Sequence, residues 1–146
     1  MRGSQRSYLL VGVQFACLAA IVFSGPLIPR NPLWTLLSLL GVLLGVWAVL
    51  AVGPAEVSVL PEVRSGARLV TRGPYRVVRH PMYSALLLFS LGLVLGAPSV
   101  WRWLLWIVLL GDLLLKLRYE EQLLARRFAD YPAYQKRTWR LVPFVF

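Results

Sequence analysis

Four long apolar runs, from which charge is almost excluded, decide what this chain can fold into. They cover about residues 8–25, 33–52, 82–97 and 100–117. Each is of the order needed for a helix to cross a bilayer core, and a helix satisfies its own backbone polar groups there. In the first run only Gln14 and Ser24 interrupt the apolar sequence. The second carries Ser38, Gly41 and Gly45 at three- or four-residue spacing, which permits close helix contact. The third and fourth are separated only by a turn at Gly96-Ala97-Pro98-Ser99, so they form an antiparallel helical hairpin. Trp101, Trp103 and Trp106, near the start of the fourth, suit interfacial anchors. At 58% hydrophobic and a mean hydropathy of +0.66, the chain is too apolar for an ordinary soluble domain. The expected architecture is all-α, a polytopic membrane bundle of about four transmembrane helices forming one domain over residues 1–146.

The charges set an orientation. Sixteen Lys and Arg against six Asp and Glu give a net charge of +10. Arg2 and Arg6 precede the first run, five basic residues lie in the 53–81 loop, and seven follow from Lys116 onward. These fourteen fall on one side of the expected membrane, and only Arg30 and Arg102 on the other. The asymmetry predicts that both termini and the central loop are cytoplasmic. The membrane expected for so short a chain is the inner (plasma) membrane of a prokaryotic cell. Segregation of charge into the loops points to anionic lipid rather than nucleic acid as the counter-surface. The first run is long for a signal peptide, and Pro26 directly after Ser24-Gly25 makes a poor cleavage site, so a retained helix is expected. A lone Cys17 inside an apolar run excludes an intrachain disulfide and reads as a small buried or lipid-facing hydrophobe. From Lys116 the sequence turns amphipathic. Leu117, Leu123, Leu124 and Phe128 predict a C-terminal surface helix that ends at Tyr131-Pro132.

The polar stretch Thr71–Tyr83 lies between the second and third runs and holds the only histidine, His80, with Arg72, Arg76 and Arg79. Gly73 and Pro74 favour a tight turn. His80 precedes a proline and is biased out of helical geometry, whereas Pro81 suits the first position of a helix. The spacing predicts a constrained loop that brings Tyr75, Arg79 and His80 to a helix start near Pro81. A short extended piece is expected around Ala67–Val70. On the fourth run, Asp112, Lys116 and Glu120 recur every four residues and share one helix face. That stripe reads either as a polar track from mid-bundle to the cytoplasmic mouth or as an ion-pair ladder that neutralises Asp112. One histidine, no thiolate pair and few carboxylates argue against a metal site. Ser84, one turn from His80, is a weak candidate for nucleophilic chemistry.

Two stretches resemble the isoprenylcysteine carboxyl methyltransferase family and its phospholipid methyltransferase relatives. The first is Gly73-Pro-Tyr-Arg-Val-Val-Arg-His-Pro-Met-Tyr83, with Ala67-Arg-Leu-Val-Thr71 before it. The second is Glu120-Glu-Gln-Leu-Leu-Ala-Arg-Arg-Phe-Ala-Asp-Tyr-Pro-Ala-Tyr-Gln-Lys-Arg137, followed by Leu141-Val-Pro-Phe144. The resemblance covers roughly residues 55–146, with the cofactor-binding part at about 64–146. It implies an integral membrane enzyme moving a methyl group from S-adenosylmethionine to a hydrophobic or lipid-like acceptor. It further implies cofactor contacts from Arg68, Leu69, Val70, Tyr75, His80, Pro81, Met82, Tyr83 and Glu120, catalytic roles for His80, Lys116 and Glu120, and substrate contacts from Lys116 and Arg79. The carboxyl methyltransferases carry arginine where Lys116 stands, a change that keeps the charge and loses the bidentate fork. Isoprenylcysteine carboxylate-like and phospholipid amine-like acceptors both stay open, as does an oligomer. Two other readings share these helices: a non-catalytic membrane scaffold or small-ligand binder, and a reductase of the sterol-reductase type.

Overall fold

The computed structural model describes residues 4–61, 66 and 68–146. Arg2, Glu62, Arg64 and Ala67, which entered the expectations above, lie outside the described residues. The helices run α1 Gln5–Phe23, α2 Pro32–Val52, α3 Pro81–Gly96, α4 Val100–Arg127 and α5 Tyr131–Gln135, with a one-turn 3-10 helix at Gly73–Arg76. Among the described residues there is no strand, and a single isolated bridge pairs Val78 with Trp139 in parallel. The all-α expectation is therefore met.

Helix starts follow local chemistry. Ser4 accepts from Ser7 N, Asn31 Oδ1 accepts from Leu33 N at 2.9 Å ahead of Pro32, and Ser99 Oγ accepts from Arg102 N. Each supplies an acceptor to a first-turn amide that has no partner within its helix. Helix α3 starts at Pro81 as expected, with His80 at φ −122° and ψ 58° outside helical geometry. Gly73 has φ +59°, and a side chain there would also press on Ala51 and the Trp47 ring. The 3-10 turn therefore rests against the end of α2 because this residue has no Cβ.

Helix α2 packs chiefly on α3, and α1 on α4. The small-residue spacing in α2 is the reason for the first pairing. A Cβ on Gly41 would lie 2.8 Å from Ala85 O, and one on Gly92 would lie 2.7 Å from Trp34 O and 2.8 Å from Ser38 N. Ser38 Oγ donates across the seam to Phe89 O at 3.2 Å. Between α1, α3 and α4 lies an apolar core of Cys17, Ile21, Leu93, Val94, Leu109 and Leu113, so Cys17 is a buried hydrophobe as expected.

Two expectations are met in part. By length and composition, α1 and α2 are the described helices that can cross a membrane. Helix α3 is apolar but has 16 residues, and α4 carries Arg102, Asp112 and Lys116 within its apolar run. Two of the four expected spans, α1 and α2, thus qualify on this ground. The helix expected after Leu117 forms as the continuation of α4, one 28-residue helix that runs on through the amphipathic segment. No glycine or proline follows Gly111 before Pro132 to stop it. Its buried stripe, Leu109, Asp112, Leu113, Lys116, Leu117 and Glu121, keeps one helical face against the bundle throughout. The outward face of α2, with Leu36, Leu39, Leu43, Val46 and Leu50 each about half exposed or more, is a continuous apolar surface suited to lipid. The tryptophans divide. Trp101 is 62% exposed, whereas Trp106 donates to Leu87 O at 3.3 Å and packs against the core.

Candidate functional site

The site is assembled from three parts of the chain. The 3-10 turn and the start of α3 supply Tyr75 through Tyr83, the far end of α4 supplies Glu120 and Glu121, and α5 with the residues after it closes the side. The closing segment lies alongside residues 77–80. Trp139 N donates to Val77 O at 2.9 Å, Arg79 N to Trp139 O at 2.7 Å, and His80 N to Arg140 O at 3.1 Å. Ser84 Oγ donates to Leu141 O at 2.7 Å, so its hydroxyl is a structural tie and not a poised nucleophile.

Arg79 is the rivet of this assembly. Its Nε donates to Glu121 Oε1 at 2.7 Å, and its Nη1 donates to Gln135 O at 3.0 Å and to Thr138 O. The guanidinium thereby joins α3's approach, α4, α5 and the closing segment. Glu121 also receives Arg140 Nε at 3.3 Å and has His80 Nε2 at 3.5 Å. Burial alone would raise the Glu121 carboxyl, but the contacts with His80 and Arg79 outweigh it and hold its pKa at about 2.

Glu120 takes a different direction. Tyr83 Oη donates to Glu120 Oε2 at 2.6 Å, and His80 Nδ1 lies 3.7 Å from the same oxygen. The His80 and Tyr83 rings stack with centroids 5.3 Å apart and planes 5° from parallel. The adjacent carboxylates therefore divide: Glu121 is enclosed by protein cations, while Glu120, with its side chain 28% exposed, opens to a cleft.

That cleft encloses about 840 Å³ of open space, including its mouth. Its lining is Val52, Glu56, Val57, Ser58, Leu60 and Pro61, then Arg68, Leu69, Val70 and Tyr75, and finally Arg79, Met82, Glu120, Leu124, Tyr131 and Tyr134. Six of the residues expected to contact a cofactor, Arg68, Leu69, Val70, Tyr75, Met82 and Glu120, thus line one cavity with Arg79. His80, Pro81 and Tyr83 do not line it, although His80 and Tyr83 touch Glu120. Lys116 is buried behind Tyr83. Its Nζ lies 5.3 Å from that ring's centroid and donates to Gln14 Oε1 at 2.7 Å. No ion pair closes between Asp112 and Lys116 or between Lys116 and Glu120 among the described residues, so the expected ladder is replaced by this cross-helix bond. The start of α3 has few free amides. Tyr83 N and Ser84 N already donate to His80 O, which leaves the Met82 N–H.

Sequence reasoning did not assign Tyr131 and Tyr134, which form one wall of the cleft with ring centroids 5.9 Å apart. Their three-residue spacing around Pro132 was the available signal, because it puts both rings on one side of a short helix. Tyr134 Oη donates to Tyr75 O at 2.7 Å, while Tyr131 Oη is buried without a hydrogen-bond partner among the described residues. Burial is the leading cause of a raised pKa at Tyr75, Tyr131 and Tyr134, with Tyr134 pushed up to about 12. All three rings are neutral near pH 7 and line the cavity together with two carboxylates, Glu56 and Glu120. Such a donor set can hold a cation or a flat heterocycle.

Beyond the Pro74–Ser84 segment lies a second, apolar groove of about 1540 Å³ of open space. It is walled by residues that include Trp47, Leu87, Trp106, Leu114 and Phe146.

The family model described as phospholipid methyltransferase matches residues 30–131, from the turn before α2 to the first residue of α5. No curated protein matches the chain.

Proposed function

The chain is a member of the phospholipid methyltransferase family, and on that premise we propose that it transfers a methyl group from S-adenosylmethionine to a lipid-like acceptor in a membrane. Methyltransferase chemistry and a membrane location follow from the family and the apolar helices. The donor, the acceptor class and the orientation are our reading. The observation that carries it is the cleft: two segments separated by the α3–α4 hairpin bring Tyr75, Met82 and Glu120 into one cavity with a tyrosine wall.

The residues present fit the donor molecule. Glu120 supplies a carboxylate for its ammonium or sulfonium charge, and Tyr75, Tyr131 and Tyr134 supply neutral π faces. Tyr131 Oη supplies a buried polar atom in search of a partner, and the backbone of residues 68–70 supplies an edge. When bound, S-adenosylmethionine provides an electrophilic methyl group that needs alignment with its acceptor and little proton transfer. Tyr83 and His80 hold the Glu120 carboxylate in place, and Arg79 with Glu121 holds the closing segment against the site. Arg79 is therefore assigned a positioning role, since its guanidinium is already occupied by protein acceptors. Lys116 fixes Tyr83 from behind and stands one side chain away from the cavity.

A lipid-borne acceptor is supported by the apolar groove, which shares the Pro74–Ser84 segment with the cleft. We read α3 and α4 as completing four crossings with the cleft on the cytoplasmic side. Helix α3, with 16 residues, rises about 24 Å, short of a typical ~30 Å core, so the bilayer would thin beside it.

The test is twofold. In detergent, S-adenosylhomocysteine should bind by calorimetry, and Glu120→Ala should abolish binding. Incubation with methyl-labelled donor and a total lipid extract should place label in the organic phase. Binding without label transfer would favour a non-catalytic ligand binder, and no binding at all would remove the donor assignment.

A further inference from the structure

On the far side of Tyr134 from the cleft is a second polar concavity, formed by Thr71, Arg76, Tyr134, Arg137 and Thr138, with about 460 Å³ of open space including its mouth. Its walls come from two distant parts of the chain that are fastened together. Tyr134 Oη donates to Tyr75 O at 2.7 Å, Thr138 Oγ1 donates to Tyr134 O at 2.7 Å, and Arg137 N donates to Tyr134 O at 3.1 Å. Arg76 and Arg137 thus project from backbone that is held in register.

Among the described residues the two guanidiniums lack a counter-ion. Arg79 and Arg140, close to them in sequence, both pair with Glu121, whereas no described carboxylate lies within 4.0 Å of Arg76 or Arg137. With six acidic residues against sixteen basic ones, the chain has little negative charge to spare for them. Two like charges around one small cavity repel, and an external anion relieves that repulsion. The hydroxyl proton of Thr138 is committed to Tyr134 O, so Thr71 is the remaining hydroxyl donor. Two planar forks approaching from different segments, plus one hydroxyl, match a tetrahedral oxyanion better than a planar carboxylate, which one fork already saturates. The height also fits. The 3-10 turn bearing Arg76 rests on the end of α2, where Arg72 Nε donates to Ala51 O at 2.8 Å, and helix ends lie at headgroup level.

We propose that Arg76, Arg137 and Thr71 form a phosphate-binding site that takes a phosphate mono- or diester, carried by a lipid headgroup or free in solution. The site is separate from methyl transfer, and its test does not depend on the cleft. The purified full chain in detergent is titrated calorimetrically with short-chain phosphatidylglycerol and, separately, with inorganic phosphate. Binding of the lipid alone assigns the phosphate to a headgroup, and binding of both assigns the site to phosphate in either form. Arg76→Gln with Arg137→Gln should weaken binding by about tenfold or more. Arg126→Gln with Arg127→Gln, an equal charge loss on the exposed end of α4, should change it less than about twofold. Should the first pair fail to fold, Arg76→Lys with Arg137→Lys keeps the charge, loses both forks and should weaken binding several-fold. The proposal is overturned if the wild-type chain binds neither probe, if either change at Arg76 and Arg137 leaves affinity intact in a folded protein, or if the α4 pair weakens binding equally.

Discussion

Lys116 Nζ on α4 donates a 2.7 Å hydrogen bond to Gln14 Oε1 on α1, and both side chains are buried. The matched family segment begins at residue 30, so the acceptor for this ammonium comes from a helix outside that segment. Removing the acceptor strands a buried charge. Gln14→Leu should lower stability by about 2 kcal/mol or more, read from thermal unfolding in detergent. Gln14→Glu, which restores an acceptor, should recover most of the loss. If Gln14→Leu left unfolding unchanged, the pair would not hold α1 to the bundle.

The α2–α3 seam makes a second, contrasting prediction. At Gly92 a methyl group would meet backbone atoms of Trp34 and Ser38, which cannot swing away, so Gly92→Ala should destabilise by about 1–3 kcal/mol. Gly12 and Gly111 have nothing within 4 Å of a built Cβ. Alanine at either site should instead stabilise by up to about 1 kcal/mol through helix propensity. Equal effects at all three positions would refute close packing as the cause.

Acid should loosen the closing segment. The folded-state pKa of Glu121 is lowered from 4.5 to about 2, so its contribution to stability is fully present above pH 4.5 and fades as pH falls through about 2. Pepsin, an acid protease active across this range, should cut within residues 131–141 of the wild type faster as the pH falls. In Glu121→Gln, trypsin cleavage after Arg137 should be fast already at pH 7, with Arg79→Met behaving alike because it removes the other half of the same contact.

Tyr83→Phe separates the carboxylate from its tether. The substitution deletes the 2.6 Å bond to Glu120 Oε2 and keeps the ring stacked on His80. S-adenosylhomocysteine affinity should fall several-fold, about 1 kcal/mol, with the thermal midpoint nearly unchanged. Glu120→Gln should cost more, because it removes the charge itself. A Tyr83→Phe protein that bound as tightly as wild type would show that Glu120 needs no such support.

Much of the framework was legible in the sequence because its causes are local. Apolar run lengths gave the four long helices and Pro81 gave the start of α3, whereas Ser38, Gly41 and Gly45 showed only that a close helix contact was permitted and not that α3 makes it. Within the cleft, Arg68–Val70, Tyr75, Met82 and Glu120 were reached through motif resemblance. What escaped depends on partners distant in sequence. Nothing local to Gln14 points to Lys116, 102 positions away, and nothing local to Arg79 points to the carbonyls of Gln135 and Thr138. That α4 runs unbroken past Leu117 has another cause. A change from apolar to amphipathic composition alters which solvent a helix meets, but gives its backbone no cause to end.

The run beside residues 77–80 is translated after every long helix of the bundle has been made. A nascent chain lacking residues 131–141 can hold its apolar helices in a bilayer, yet its cavity lacks the tyrosine wall and the acceptors that fix Arg79. Ligand affinity should therefore arise only once residues 131–141 leave the ribosome and settle onto helices already in place.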